Sequence, residues 1–280
     1  MSAVLDDMDS RPGSTTSLLR TIIGLYLRGA GGWMSSAQLL TLMEAVDVSP
    51  ALTRTALTRL RRKGVLDAAT RDGVSGYAVG ERARQMLERG DRRIHEPRAM
   101  NVDDPWCLIS FTVPETDRGL RHQLRRRLYW IGCGTVGPGL WICPQYLQAE
   151  AEEILQDLGL RERAVLFETK RPQTAGPLGE AVADWWDLDE LAGLHREFLG
   201  QQRDVPELPP SEGSSAFATY LHCIDSWRII PYRDPGLPQD CLPEDWPGTA
   251  SSARFLQLRN AYRPVALAYV QSITTIPAHA

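Results

Sequence analysis

Ser49-Pro50-Ala51-Leu52-Thr53-Arg54-Thr55-Ala56-Leu57-Thr58-Arg59-Leu60-Arg61-Arg62-Lys63-Gly64-Val65-Leu66 is the stretch whose reading decides the fold. On a helix, Leu52, Ala56 and Leu60 stack in one row and Leu57 widens it. Arg54, Thr55, Thr58, Arg61 and Arg62 project from the other side, with Arg59 and Lys63 between. Such a helix buries one face and offers guanidinium forks and hydroxyls to phosphates and base edges. Gly64-Val65-Leu66 reads as a helix stop entering a strand. Taken alone, the pattern fits a solvated basic surface helix equally well.

The flanking residues favour the first reading. Ser17 to Arg28 carries Leu18, Ile22, Leu25 and Leu27 at helical spacing, with Gly29, Gly31 and Gly32 as a terminator. Ser35 or Ser36 is suited to cap a second helix bearing Leu39, Leu40, Leu42 and Met43. The short Asp47-Val48-Ser49-Pro50 link places Pro50 in the first turn of the next helix. Arg71-Asp72-Gly73 then supplies a turn, Gly76 to Val79 a returning strand, and Gly80 to Arg89 a further helix. This order predicts a winged helix-turn-helix over residues 15–92.

Charge follows the same division. The 280 residues carry a net charge of −4, yet residues 1–99 hold 15 Arg and Lys against 11 Asp and Glu. The net is therefore +4 there, −2 over 100–170 and −6 over 171–280. Only Lys63 and Lys170 are lysines, so cationic contacts fall to arginine and its bidentate fork. Five cysteines without a CxxC pair predict reduced thiols, a cytoplasmic protein, and neither a disulfide framework nor a metal site. No apolar run reaches the length of a membrane span.

After the polar connector Ile94 to Arg98, residues 100–170 read as strand (106–113), helix (115–129), two strands (131–136, 139–142), helix (145–158) and strand (164–168). That is the β-α-β-β-α-β order of a ferredoxin-like unit. Its sheet buries one face on the helices and leaves the other for a partner or ligand. The remainder, 180–275, reads as mostly helical: Trp185 and Trp186 open a helix to Leu199, and two more cover 216–230 and 251–273. The proline-dense loop between them is ordered against neighbouring helices or a ligand.

Three motifs in order resemble the PaaX-type repressors of phenylacetate degradation, over Ser17 to about Tyr269. They are the Arg54 to Leu60 helix with its Gly64-Val65-Leu66 exit, Trp130-Ile131-Gly132-Cys133-Gly134 leading to Pro138-Gly139-Leu140-Trp141-Ile142-Cys143-Pro144, and Arg233-Asp234-Pro235-Gly236-Leu237-Pro238 with Leu242 to Gly248. The resemblance implies an α+β chain with a winged helix, a central Cas2-like dimerisation domain and a helical C-terminal effector or dimerisation domain. It implies a homodimer on double-stranded operator DNA, released by an aryl-acyl-CoA such as phenylacetyl-CoA, with no other cofactor.

The expected DNA contacts are Arg54, Thr55, Thr58, Arg59, Arg61, Arg62 and, from the wing, Arg71. A CoA thioester needs cations for its phosphates and an aromatic slot for its acyl group. Arg125, Arg126, Arg228 and Arg233 are candidates for the first, and Trp130, Trp141, Trp227 and Tyr232 for the second. Core packing of Trp130 and Trp141, and a solvated or dimer-facing side for Arg125 to Arg127, are the plainer alternatives. Ser226 stands before Trp227 and Ile229 after Arg228, where the family has glutamate and basic residues, so another pathway's effector is the second reading. A Cas2-like fold also invites a metal-dependent nuclease. No phosphate loop, HExxH or nucleophile elbow is present, and the chain is read as a non-enzyme.

Overall fold

A computed structural model describes residues 10–274. The helices are α1 (Thr15–Ile22), α2 (Ser36–Glu44), α3 (Pro50–Arg62), α4 (Glu81–His95), α5 (Arg118–Trp130), α6 (Gln148–Asp157), α7 (Leu178–Trp185), α8 (Leu188–Gln201), α9 (Gly213–Trp227), α10 (Ile230–Arg233) and α11 (Gly248–Thr274). The strands are β1 (Trp33–Ser35), β2 (Leu66–Arg71), β3 (Val74–Val79), β4 (Trp106–Phe111), β5 (Gly134–Gly137), β6 (Leu140–Pro144) and β7 (Ala164–Thr169). They gather into two compact units. Of the described residues, the N-terminal unit holds 10–96 together with 198–229 and 250–274; the central unit holds 97–197 and 230–249.

In the N-terminal unit, Ser14 caps α1 and Ser35 caps α2 through a reciprocal box with Gln38. The first helix starts two residues before Ser17 and passes into a π-wound turn, Ile23–Leu27. Ser49 caps α3, with Pro50 in its first turn. Asp47, at φ 59°, makes the tight turn between α2 and α3. The hairpin β2–β3 pairs Arg71 with Val74 across Asp72-Gly73. Both loop residues have positive φ, as a two-residue turn matched to strand twist requires. β1 completes this sheet in the order β1-β3-β2. Helix α4 runs on to His95, past the expected end at Arg89 and through the start of the expected connector.

Helices α9 and α11 belong to this unit too. Trp227 stacks on Phe255 with ring centres 4.4 Å apart and donates its indole N–H to Ile94 O at 3.1 Å. Arg254 donates to the carbonyls of Gln202 and Val205, fixing the chain between α8 and α9. A buried polar knot ties α9 to α1. Asp225 (1% exposed) accepts from Ser17 Oγ at 2.5 Å, Thr21 Oγ1 at 2.8 Å and Gly13 N at 2.7 Å. Arg228 (7% exposed) pairs with it at 3.1 Å. A second guanidinium nitrogen of Arg228 donates to Ser17 Oγ at 2.6 Å and Ser10 O at 3.1 Å. Each charge is thus matched and hydrogen-bonded, the condition for burying an ion pair without loss.

The central unit has the sheet order β5-β6-β4-β7 with antiparallel neighbours throughout, which is the split βαβ arrangement. Cys107, Ile109 and Phe111 of β4 and Trp141 and Cys143 of β6 pack with Leu124 and Leu128 of α5 and Ile154 and Leu155 of α6. The opposite face is not simply vacant, as the strand order had suggested. Trp106 and Ile142 are covered by Leu178, Val182, Trp186, Leu191, Leu237 and Trp246 of the same unit. On the edge strand β7, Val165 and Phe167 remain exposed.

Trp185 and Trp186 end α7 rather than open a helix, and α8 begins after them at Leu188. Trp186 donates to Gly132 O at 2.9 Å, and its ring lies where a Cβ on Gly134 would stand. Gly134 therefore makes room for this indole, whereas a Cβ on Gly132, at φ 88°, would meet the carbonyls of Tyr232 and Arg233.

The proline-dense loop is ordered against its own unit. Gly236 O accepts from Met100 N at 2.7 Å, Tyr146 bonds Pro235 O, and Leu237 is buried. Gly236 has φ 70°, and a Cβ there would sit 2.0 Å from Arg98 O. Gly236→Ala is expected to cost about 2–4 kcal/mol in urea unfolding of the full chain. A change below about 0.5 kcal/mol would contradict this packing.

Candidate nucleic-acid interface

Helix α3 is held from behind. Thr53, Ala56, Leu57 and Leu60 form its buried row against α1 and α2. Thr53 fits an apolar seat because its hydroxyl is bonded to Ser49 O at 3.1 Å. Leu52, expected in this row, is instead exposed: the row begins one residue later than the Leu52–Ala56–Leu60 spacing implied. Gly64, at φ 72°, ends the helix with Val65 N donating to Leu60 O at 3.0 Å.

Arg54, Thr55, Thr58, Arg59, Arg61 and Arg62 are all exposed, so the structure brings the six α3 candidates onto one surface. No acidic residue lies between Pro50 and Lys63. Arginine at positions 59, 61 and 62 also fills the last turn, where cations complement the helix dipole. The threonines differ from expectation in one respect. Thr55 donates its hydroxyl to Ala51 O at 3.0 Å and Thr58 to Arg54 O at 2.9 Å. Their protons are spent on the helix itself.

Arg71 is exposed but not extended outward. It lies 5.5 Å from the Trp33 ring centre and donates to Gly31 O at 3.2 Å. Trp33 is in turn anchored by a bond to Ala69 O at 3.1 Å. Asp72 rather than an arginine stands at the hairpin tip, so the wing presents little positive charge.

The eight residues considered for an effector divide between the units. In the central unit, Arg125 and Arg126 lie on the exposed side of α5, opposite Leu124 and Leu128. Trp141 is buried in β6, facing α5 and α6, and Tyr232 is buried in α10. Trp130 and Arg233 do meet: the guanidinium lies 5.4 Å from the Trp130 ring centre and 4.2 Å from that of Tyr129. Arg233 pairs with Glu190 at 2.9 Å and also bonds Tyr129, whose hydroxyl donates to Glu190 at 2.5 Å. Burial and the Glu190 bond push the Tyr129 hydroxyl up to about 12. Burial alone would raise Glu190, yet the bonds from Tyr129 and Arg233 hold it below the usual carboxylate range. Tyr129 and Glu190 were not singled out in the sequence; the aromatic pair before Ile131, facing the Arg233 motif, was the available signal.

Trp227 and Arg228 belong to the N-terminal unit, where the first is stacked on Phe255 and the second is committed to Asp225. That unit has a cavity of about 430 Å³, lined by Pro12, Gly13, Gln201, Gln202, Val205, Thr219, His222 and Ser226. It offers amide, hydroxyl and imidazole groups and no arginine or lysine. Among the described residues no cluster of His, Cys, Asp or Glu is arranged to hold a metal, and no helix is long and apolar enough to cross a membrane.

The chain is similar to known proteins over most of its length. The chain is 27% identical to the transcriptional repressor PaaX of Escherichia coli (strain K12) over 269 residues, 92% of this chain and 84% of that protein. Its fold is similar to that of the uncharacterized protein Rv0674 from Mycobacterium tuberculosis, with TM-score 0.58 and 20% identity over 92% of this chain and 98% of that one. Residues 14–83 match the PaaX-like protein model, 99–179 the PaaX central Cas2-like domain, and 186–272 the PaaX-like C-terminal domain. The chain is a member of the PaaX family of transcription regulators.

Proposed function

We propose that the protein is a cytoplasmic, non-enzymatic repressor that binds a palindromic operator as a homodimer, one copy of α3 in the major groove of each half-site. The observation that carries this reading is the acid-free Arg/Thr surface of α3, fixed from behind by its buried row. Half-sites then lie about 10–10.5 base pairs apart, or a multiple of that. Arg54, Thr55, Thr58, Arg59, Arg61 and Arg62 make the contacts, and Arg71 contributes least because it is drawn back onto Trp33.

The effector is an aryl-acyl-CoA, phenylacetyl-CoA first, in keeping with the family. The central unit supports this with exposed cations on α5 and an arginine, paired with Glu190, that lies over the Tyr129 and Trp130 rings. Ligand binding lowers the population of the DNA-competent state in proportion to its preference for the other state. Trp227 and Arg228 act as structural residues in this account.

Gel shifts on a duplex selected by the protein from random DNA test both parts. Phenylacetyl-CoA is expected to release the duplex at concentrations where free CoA and phenylacetate do not. Release by a different thioester alone would point to another pathway. No effect of any thioester would remove the effector assignment and leave the DNA assignment standing. The same duplex is expected to stay intact with magnesium or manganese, whereas cleavage would support the nuclease reading.

A further inference from the structure

The exposed face of α3 is not uniformly polar. Leu52 is 55% exposed, beside an exposed Ala51, on a helix whose buried row is filled by other residues. Thr55, one turn on, has its hydroxyl proton bound to Ala51 O, so outward it offers a methyl group and an acceptor lone pair. Ala51, Leu52 and Thr55 fall within about 100° of the helix circumference, in its first two turns. Arg59 and Arg62 follow in the same sector, and no carboxylate interrupts it.

An apolar spot framed by cations calls for a partner of the same design with opposite charge. The major groove provides one, because the thymine 5-methyl is its apolar group and phosphates border it. The N-terminal part of a recognition helix is also the part that meets base edges. We infer that Leu52, supported by Ala51 and the Thr55 methyl, packs on the 5-methyl group of a thymine in each half-site and sets the preference for that base. This rests on the DNA-binding reading above and adds an apolar element to a contact set otherwise made of arginines and threonines.

The test uses the selected duplex, with each thymine replaced in turn by deoxyuridine, which removes the methyl group and keeps the base pair. A replacement in one half-site is expected to weaken wild-type binding about four-fold, the worth of one buried methylene-sized group, and replacement in both half-sites about fifteen-fold. Leu52→Ala is expected to bind the all-thymine duplex several-fold more weakly and to be insensitive to that replacement. Its melting temperature should match the wild type, since Leu52 lies outside the buried row. Wild-type binding unaffected by deoxyuridine at every position would overturn the inference. So would an unchanged deoxyuridine penalty in Leu52→Ala. If the wild-type protein selects no duplex at all, the DNA-binding reading fails and takes this inference with it.

Discussion

Arg54→Ala and Arg62→Ala are each expected to weaken binding to the selected duplex by at least about 5- to 150-fold, the range for losing one bidentate arginine contact, since each variant loses one such contact in each half-site. Both residues are exposed and neither belongs to the row Thr53, Ala56, Leu57 and Leu60. Melting temperature and urea midpoint should therefore stay close to wild type. The salt dependence of the loss tells base contact from phosphate contact. A phosphate-bound arginine, once removed from both half-sites, flattens the slope of log affinity against log salt by about two and weakens all duplexes alike. A base-bound arginine leaves the slope nearer its original value and relaxes preference at one position. Wild-type affinity in both variants would mean that α3 is a solvated basic helix and that the protein meets DNA elsewhere.

Asp225→Ala is expected to be the most destabilising single change outside the apolar core, by about 3–5 kcal/mol. It strands the buried Arg228 guanidinium and removes the acceptor for Ser17, Thr21 and the Gly13 amide. Groups left buried without a partner carry their full desolvation cost. Against a typical domain stability of about 5–15 kcal/mol, this is enough to unfold a marginal unit. The double variant Asp225→Leu with Arg228→Met should regain much of the loss, because it removes both charges together. Urea unfolding of the two variants decides the matter. If Asp225→Ala melts like the wild type, the knot between α1 and α9 contributes nothing.

The winged helix was legible because its signals are local. Serine caps, Pro50 in a first turn, Asp72-Gly73 at a hairpin and helical spacing all act within a few residues. The same locality explains the misses. Leu52 sits at i and i+4 spacing from the true buried row, so periodicity alone admits it; the Ser49 cap and the packing on α1 set the row one residue on. β1 is three residues long, too short for any alternation to register. Helix α4 was cut short because its last two turns are rich in Arg, Asp and His, which resemble a connector until Pro97 is reached.

The central βαββαβ order was readable from strand and helix lengths. What covered its second face was not, since Trp186, Leu237 and Trp246 come from segments far along the chain. For the same reason nothing local distinguished Trp227 and Arg228, members of a core, from Trp130 and Arg233, which meet near the surface. Their partners Phe255, Tyr129 and Glu190 are tertiary facts, and so is the burial of the local Asp225–Arg228 pair against Ser17 and Thr21.

Selection of duplexes from a random library by the full-length protein, followed by footprinting of the best-bound sequence, tests the central claim most directly. The account predicts an inverted repeat whose two protected half-sites are centred about 10–10.5 base pairs apart or a multiple of that, with protection in the major groove. Enrichment of no sequence, or of a single asymmetric site protected only along the minor groove, would contradict it.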